Sequence, residues 1–316
     1  MKILLTGATG FVGQHIFKAI DKKFATVVLG RKRSNDYLGE FIEYDLKNTP
    51  DEGLNLQGID VVIHSAARAH IMHDASLDPQ AEYLLVNTEA TLTLARSAAE
   101  SGVKRFIFIS SIKVNGESTS GRMPFTSSDQ PCTSDHYGQS KLEAENRLKE
   151  LAAKTGLEVV IIRSTLVYGL GVKANFASLM KLVSRGMPLP FGCVTQNKRS
   201  FVSINNLVDL IVTCIDHPKA ANQVFLVSDD HDVSTSEMVR ELAIALGKPT
   251  WQLPVPIWCY KLFGKLFGKS DIVDRLTGSL QVDISHTKET LGWKPPQTLQ
   301  EGFKQTAQAF LQANNK

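Results

Sequence analysis

Short apolar runs alternate with longer stretches of helical period along most of the chain. KILLTG (2–7), ATVVLG (25–30), DVVIHSA (60–66), RFIFISS (105–111), EVVIIRS (158–164) and QVFLVS (223–228) are compact and rich in β-branched and aromatic residues. They lack the strict alternation of a strand with one wet face, so they read as strands buried on both faces. Segments near 11–22, 79–101 and 137–155 carry apolar residues at helical spacing between those runs. That alternation predicts an α/β fold with a doubly wound parallel sheet and right-handed crossovers. Ligands of such sheets sit beyond the carboxyl ends of the strands. Informative residues should therefore follow each strand. Past about residue 166 the pattern loosens into Gly-, Pro- and Lys-rich stretches. Residues 1–166 and 201–228 are expected to form the sheet domain, and 167–200 with 229–316 a smaller C-terminal substrate-binding domain.

Bulk properties narrow the field only slightly. With 316 residues, 43% hydrophobic and 21% charged, the chain can build a sizeable core. A net charge of +3 gives no strong pull toward nucleic acid. Cys132, Cys193, Cys214 and Cys259 are far apart and form no C-x-x-C. They suit a reducing, cytoplasmic setting and neither a disulfide framework nor a metal site. The N-terminus lacks a signal-peptide pattern, and no stretch approaches the roughly 20 apolar residues of an integral membrane segment. PIWCYKLFGKLFGK (256–269) is apolar and basic, which suits membrane-surface contact. The expectation is instead a short helix packed within the C-terminal domain.

TGATGFVG places Gly7, Gly10 and Gly13 directly after a strand and before a helix. In that context Gly7 permits a tight turn, Gly10 lets backbone approach a pyrophosphate, and Gly13 lets helix pack on strand. Amides at the helix start, including those of Phe11 and Val12, then face phosphate. The sheet is thus expected to be a Rossmann sheet holding NAD or NADP. The second strand runs into LGRKRS, with Arg31 where NAD enzymes usually carry an acid. A carboxylate would repel a 2′-phosphate, whereas a guanidinium can hold one by paired bonds. Arg31 therefore favours NADP(H) in the sequence reading.

DHYGQSK (135–141) sets Tyr137 and Lys141 four apart at the start of a helical run. Tyr137, Lys141, Ala144, Leu148 and Leu151 share one face, and the later members are apolar. The pair therefore begins an inward stripe, where an ammonium is costly without compensation. A free phenol titrates near 10, and acid–base catalysis works best near operating pH. Lowering it by roughly three units takes about 4 kcal/mol. Lys141 and an oxidised nicotinamide are expected to supply that, and Lys141 can also hold the nicotinamide ribose. Ser111, at the end of RFIFISS, is placed to bind the reacting oxygen. Ser110 is the alternative, because adjacent strand residues point oppositely.

Together, the glycine loop in its G-x-x-G-x-x-G spacing, the strand-end serine and Y-x-x-x-K resemble the extended short-chain dehydrogenases/reductases of the NAD-dependent epimerase/dehydratase family. The resemblance spans nearly the whole chain through HSAA (64–67), VNTEAT (86–91), SSIKVNG (110–116), YGQSK (137–141), RSTLVYG (163–169), RSFVSINNLVD (199–209) and VDISHTKETLGW (282–293). It implies that Asp45 and Leu46 contact adenine, and that Ala66, Ala67 and Asn87 line the cofactor cleft. It implies that Arg163, Ser164 and Thr165 open the turn beside nicotinamide. It implies that Asn175, Arg199 and Arg275 hold the diphosphate of a UDP-sugar, arginine being suited to bidentate phosphate recognition. Relatives of this kind often pair through two long helices, so a homodimer is expected.

Members of the family carry out 4-epimerisation, 4,6-dehydration or keto reduction. Dehydratases typically place Asp-Glu after the catalytic hydroxyl, whereas Ile112-Lys113 follow Ser111 here. Dehydration is disfavoured. SSIKVNGE, AARAHIM (66–72) and LTGSLQVD are most similar to a surface-polysaccharide subgroup that reduces UDP-4-keto-6-deoxy-N-acetylhexosamine. With Arg31, this puts NAD(P)H-dependent C4 ketoreduction first and UDP-hexose 4-epimerisation second. A third reading is a non-catalytic NADP(H) sensor, which would be expected to have lost the Ser/Tyr/Lys set. Two departures from the pattern are Asn115, where epimerases usually have tyrosine, and His136, where proline is common.

Overall fold

The computed structural model describes residues 1–34, 37, 39–47, 54–68, 78–172 and 174–314, excepting the side chains of 174, 175 and 314. Its strands are β1 (Lys2–Thr6), β2 (Ala25–Gly30), β3 (Glu40–Glu43), β4 (Val61–His64), β5 (Arg105–Ser111), β6 (Glu158–Ser164), β7 (Leu166–Tyr168), β8 (Arg199–Ser203), β9 (Val224–Val227) and β10 (Asp232–Val233). Seven of them form one parallel sheet in the order β3-β2-β1-β4-β5-β6-β9. A three-stranded sheet, β10-β8-β7, lies beyond it. All six runs singled out by pattern are strands of the large sheet. β3, β7, β8 and β10 are short and did not stand out.

Helices α1 (Phe11–Ile20), α2 (Pro79–Leu84), α3 (Ala90–Glu100), α4 (His136–Thr155), α5 (Ala174–Ser184), α6 (Ile204–Asp216), α7 (Thr235–Ala245), α8 (Ile257–Leu266), α9 (Ser270–Thr277), α10 (Ser285–Leu291) and α11 (Leu299–Asn314) complete the order. Each sheet face is covered, which is why the strands read as continuous apolar runs. Ile3, Leu5, Ile63, Ile107 and Ile162 pack beneath α1 and α6. Leu4, Val62, Phe106, Phe108 and Ile161 pack on the opposite face against α3 and α4. Each such side chain, fully buried, contributes about 1.5–3 kcal/mol. A third core gathers Tyr168, Phe176, Leu189, Phe191, Phe201, Leu242 and Phe303. The fold is therefore a doubly wound Rossmann sheet with a smaller C-terminal part.

Two expectations change. The helix expected over 79–101 is interrupted by a π-helical turn, Leu85–Glu89, which inserts an extra residue at Asn87. The segment 256–269 does form a helix, but one that leaves much of its apolar surface to solvent. Among the described residues, no helix is long and apolar enough to cross a membrane.

Candidate active site

The sheet reverses direction of growth between β1 and β4, which opens a crevice at their carboxyl ends. The glycine loop enters there. Gly7 has φ +72°, and a Cβ on it would lie 2.6 Å from the Ala66 amide nitrogen. A Cβ on Gly13 would lie 2.0 Å from the Gly7 carbonyl oxygen. Neither position admits a side chain. Gly10 caps α1 without a side-chain bond, and no acid occupies the helix's first turn. The amides of Phe11, Val12 and Gly13 thus start a helix with the polarity a pyrophosphate requires. This cradle fits a dinucleotide.

Buried side chains tie the cradle to its neighbours. The Ala66 N–H approaches Thr6 Oγ1 at 3.2 Å, and Thr6 Oγ1 meets His64 Nδ1 at 2.8 Å. His64 Nε2 meets Thr91 Oγ1 at 2.9 Å, and that hydroxyl donates to the Asn87 carbonyl. The network assigns the His64 proton to Nε2. Burial, then the Lys141 charge, lowers the His64 pKa to about 3, so the imidazole stays neutral. Asn87 Nδ2 donates to Ser140 Oγ at 3.0 Å, and its Oδ1 accepts from the Arg68 amide at 2.8 Å. The π turn is what sets Asn87 between those partners. Asn87 is fully buried and braces the cleft wall rather than lining an open surface.

The other cofactor candidates distribute along the same edge. Ala66 is half-buried and Ala67 exposed, just past β4. Asp45 and Leu46 follow β3, with the Tyr44 amide bonded to the Gly30 carbonyl of β2. Arg31 is exposed beyond β2, while Arg33 bonds the Gly39 carbonyl and overlies Phe41. Ser164 pairs in register with Ser111 across β5 and β6. Residues 69–72 of AARAHIM and the Asn175 side chain lie outside the described residues.

At the end of β5 the two serines separate as the period of two demands. Ser110 is buried, and its hydroxyl donates to Glu145 Oε1 at 2.5 Å. It faces the interior, so the expectation that it touches substrate is corrected. Ser111 is half-buried, accepts from the Lys113 amide at 3.3 Å, and lies close enough to the Tyr137 phenol to favour its ionised form. Tyr137 stands at the start of α4, which Asp135 caps by accepting from the Gly138 amide at 2.7 Å. The Tyr83 ring meets the Tyr137 ring edge-on, with centroids 6.2 Å apart. His136 is exposed.

The electrostatics of the pair depart from expectation. Burial first, then the Asp135 carboxylate, pushes the Tyr137 phenol up to about 12, although the Ser111 hydrogen bond opposes this. Lys141 does not bring it down. Its Nζ is turned inward, donating to the Ile109 carbonyl at 2.9 Å and lying 4.3 Å from the Phe108 ring centroid. Burial lowers the Lys141 pKa to about 7, with Glu145 opposing. Lys141 is thus not among the groups that shift Tyr137, whereas its charge does act on His64.

Beneath α4 lies a charged cluster that pattern reading missed. Glu145 is fully buried and receives Arg163 Nη2 at 2.6 Å as well as Ser110. Arg163 Nη1 donates to Asn115 Oδ1 at 2.9 Å, and Asn115 Nδ2 donates to the Thr126 carbonyl at 2.8 Å. Arg163 thus supports the site from inside, and Asn115 is its partner. The readable signal was Glu145 four residues beyond Lys141 on the same inward face. In the C-terminal part, Arg199 donates to the Arg275 carbonyl at 2.9 Å. Burial and the neighbouring Arg275 guanidinium hold Arg199 below the usual guanidinium range. Two adjacent cations of this kind suit a diphosphate.

The profile of a family described as the NAD dependent epimerase/dehydratase family matches residues 3–228. A Vibrio cholerae protein named UDP-glucose 4-epimerase is 68% identical, over 99% of this chain and 97% of its own. An Escherichia coli O157:H7 protein named N-acetyl-alpha-D-glucosaminyl-diphospho-ditrans,octacis-undecaprenol 4-epimerase is 28% identical, over 97% and 94%. The crystal structure of a Thermotoga maritima UDP-glucose 4-epimerase with UDP-glucose superposes with a TM-score of 0.77. It is 21% identical, covers 99% of this chain and 100% of that one, and shows the shared fold.

Proposed function

The chain belongs to the NAD-dependent epimerase/dehydratase family, as an NAD-dependent nucleotide-sugar enzyme, and we propose that it epimerises a UDP-hexose at C4. The observation that carries this reading is the 68% identity, end to end, with a protein named for that reaction. Ketoreduction, placed first from sequence, gives way to it. In this reading, residues 1–166 and 201–228 hold the dinucleotide, and 167–200 with 229–316 hold the UDP-sugar. The protein acts as a homodimer, which sedimentation at micromolar concentration reads directly.

Each residue then has a task. The Gly7–Gly13 cradle holds the pyrophosphate, Asp45 and Leu46 the adenine end, and Ala66, Ala67 and Ser164 flank the nicotinamide half. Bound NAD+ supplies a hydride acceptor at C4 and a positive ring. Ser111 steadies the C4 oxygen, and Tyr137 takes its proton and later returns it. Burial and the Asp135 carboxylate raise the Tyr137 pKa, and a cation placed beside the phenol would lower it. Arg199, Arg275 and Asn175 hold the diphosphate while the hexose turns, since inversion requires the oxidised carbon to present its other face.

Purified protein given UDP-glucose or UDP-N-acetylglucosamine and no reductant is expected to form the C4 epimer, seen by proton NMR of the anomeric signal. Tyr137→Phe should lose about 10²–10⁴-fold in kcat and keep NAD+ binding. A near-wild-type rate in that variant rules out the proton route. One feature supports a second reading: the exposed Arg31 where an acid would favour NAD. If the protein forms no epimer but consumes NADPH stoichiometrically against a UDP-4-keto-6-deoxy-N-acetylhexosamine, ketoreduction with NADP(H) replaces epimerisation.

A further inference from the structure

The α8–α9 hairpin presents an apolar surface that nothing else in the fold covers among the described residues. Trp258, Leu266 and Phe267 are 65%, 69% and 70% exposed, and Leu262, Phe263 and Ile272 are also open. Isolated exposed apolar residues are ordinary; six large ones on a single helical hairpin are not. The hairpin is nonetheless firmly built. A Cβ on Gly264 would lie 2.8 Å from Val273 Cγ2, so the two helices touch closely there. The Lys269 amide closes the turn on the Gly264 carbonyl at 2.7 Å. Tyr260 stacks on Phe191, with centroids 6.3 Å apart, and fixes the inner face of α8 to the third core. The outward apolar side is therefore held in place by a structured inner side.

Charge is organised on the same helix. Trp258, Leu262 and Leu266 recur at i, i+4 and i+8 and form one stripe. Lys261 and Lys265 lie beside that stripe on α8, and Lys269 follows in the turn to α9, all exposed. Residues 247–270 contain four lysines and no acid, so the basic character belongs to α8 and its turn; α9 carries exposed Asp271 and Asp274 with Arg275. An apolar stripe with an interfacial tryptophan and a bordering row of lysines matches the headgroup–acyl boundary of an anionic bilayer.

We propose that the α8–α9 hairpin docks this protein peripherally on an anionic membrane surface. The apolar stripe enters the headgroup–acyl boundary and Lys261, Lys265 and Lys269 meet lipid phosphates. The inference stands apart from the reaction proposed above.

Flotation of the full-length protein with vesicles tests it. Binding to phosphatidylcholine vesicles containing about 30% phosphatidylglycerol should exceed binding to phosphatidylcholine alone by roughly tenfold and weaken in high salt. Tryptophan emission should shift to the blue on docking, and Trp258→Phe should remove most of that shift. The double variant Leu262→Glu/Leu266→Glu should lose binding by about tenfold or more while keeping wild-type Tm and turnover of soluble UDP-sugar. Equal binding to both vesicle types, binding to neither, or wild-type binding by the double variant overturns the proposal. So does a change in oligomeric state of that variant without vesicles, which would make a second copy the occupant of this surface.

Discussion

Lys141 is an ammonium held where water scarcely reaches it, with one carbonyl and one aromatic face for company. Its folded pKa lies near 7, below the ordinary 10.5 of the unfolded chain. Between those values the unfolded chain binds more protons, so stability rises with pH across that window. The cost of burying the charge is fully present below about pH 7 and relieved as pH climbs toward 10.5. Lys141→Met should therefore melt a few degrees above wild type at pH 7, and the gain should shrink toward pH 10. The same variant should lose turnover. Calorimetry across pH and a rate assay read the two effects. Sequence located this lysine and its partner Tyr137 by spacing alone. Periodicity also turned Lys141 inward; it did not disclose that the ammonium bonds the Ile109 carbonyl and overlies Phe108 rather than facing the Tyr137 phenol.

At the scale of elements, α4 was legible and its foundation was not. The stripe from Tyr137 through Lys141, Ala144 and Leu148 is buried or half-buried as periodicity required. Glu145 sits on that inward face too, yet a carboxylate there makes sense only with Arg163 and Ser110, which come from other strands. Removing one member of a buried pair leaves the other charge unmet, at about 3–5 kcal/mol. Glu145→Ala should lower Tm by several degrees and reduce kcat through misplacement of Tyr137; a Tm within a degree of wild type would contradict the account. The π turn at Asn87 was equally hidden. An extra residue in a helix is stabilised by what that residue bonds, here Ser140 and the Arg68 backbone, and those partners are distant in sequence.

Across the whole molecule, the proposed site joins a cradle on the large sheet to arginines in the C-terminal part. Two ligands that bind the folded state each raise its stability by mass action, about 2.7 kcal/mol at a hundredfold excess over Kd. NAD+ and UDP should thus each raise Tm. Arg199→Ala should abolish most of the UDP increment and leave the NAD+ increment intact; loss of both, or of neither, would separate Arg199 from diphosphate recognition. The amino-acid order by itself determined the buried strands, the glycine loop, the placing of Tyr137 and Lys141 on one helix face, and the family, because each is written in local spacing and residue type. Only the tertiary structure decided which serine faces the cleft, where the Lys141 charge goes, what neutralises Glu145, and which side of α8 meets solvent. Those outcomes depend on desolvation and on partners brought together from far along the chain, and no local pattern encodes them.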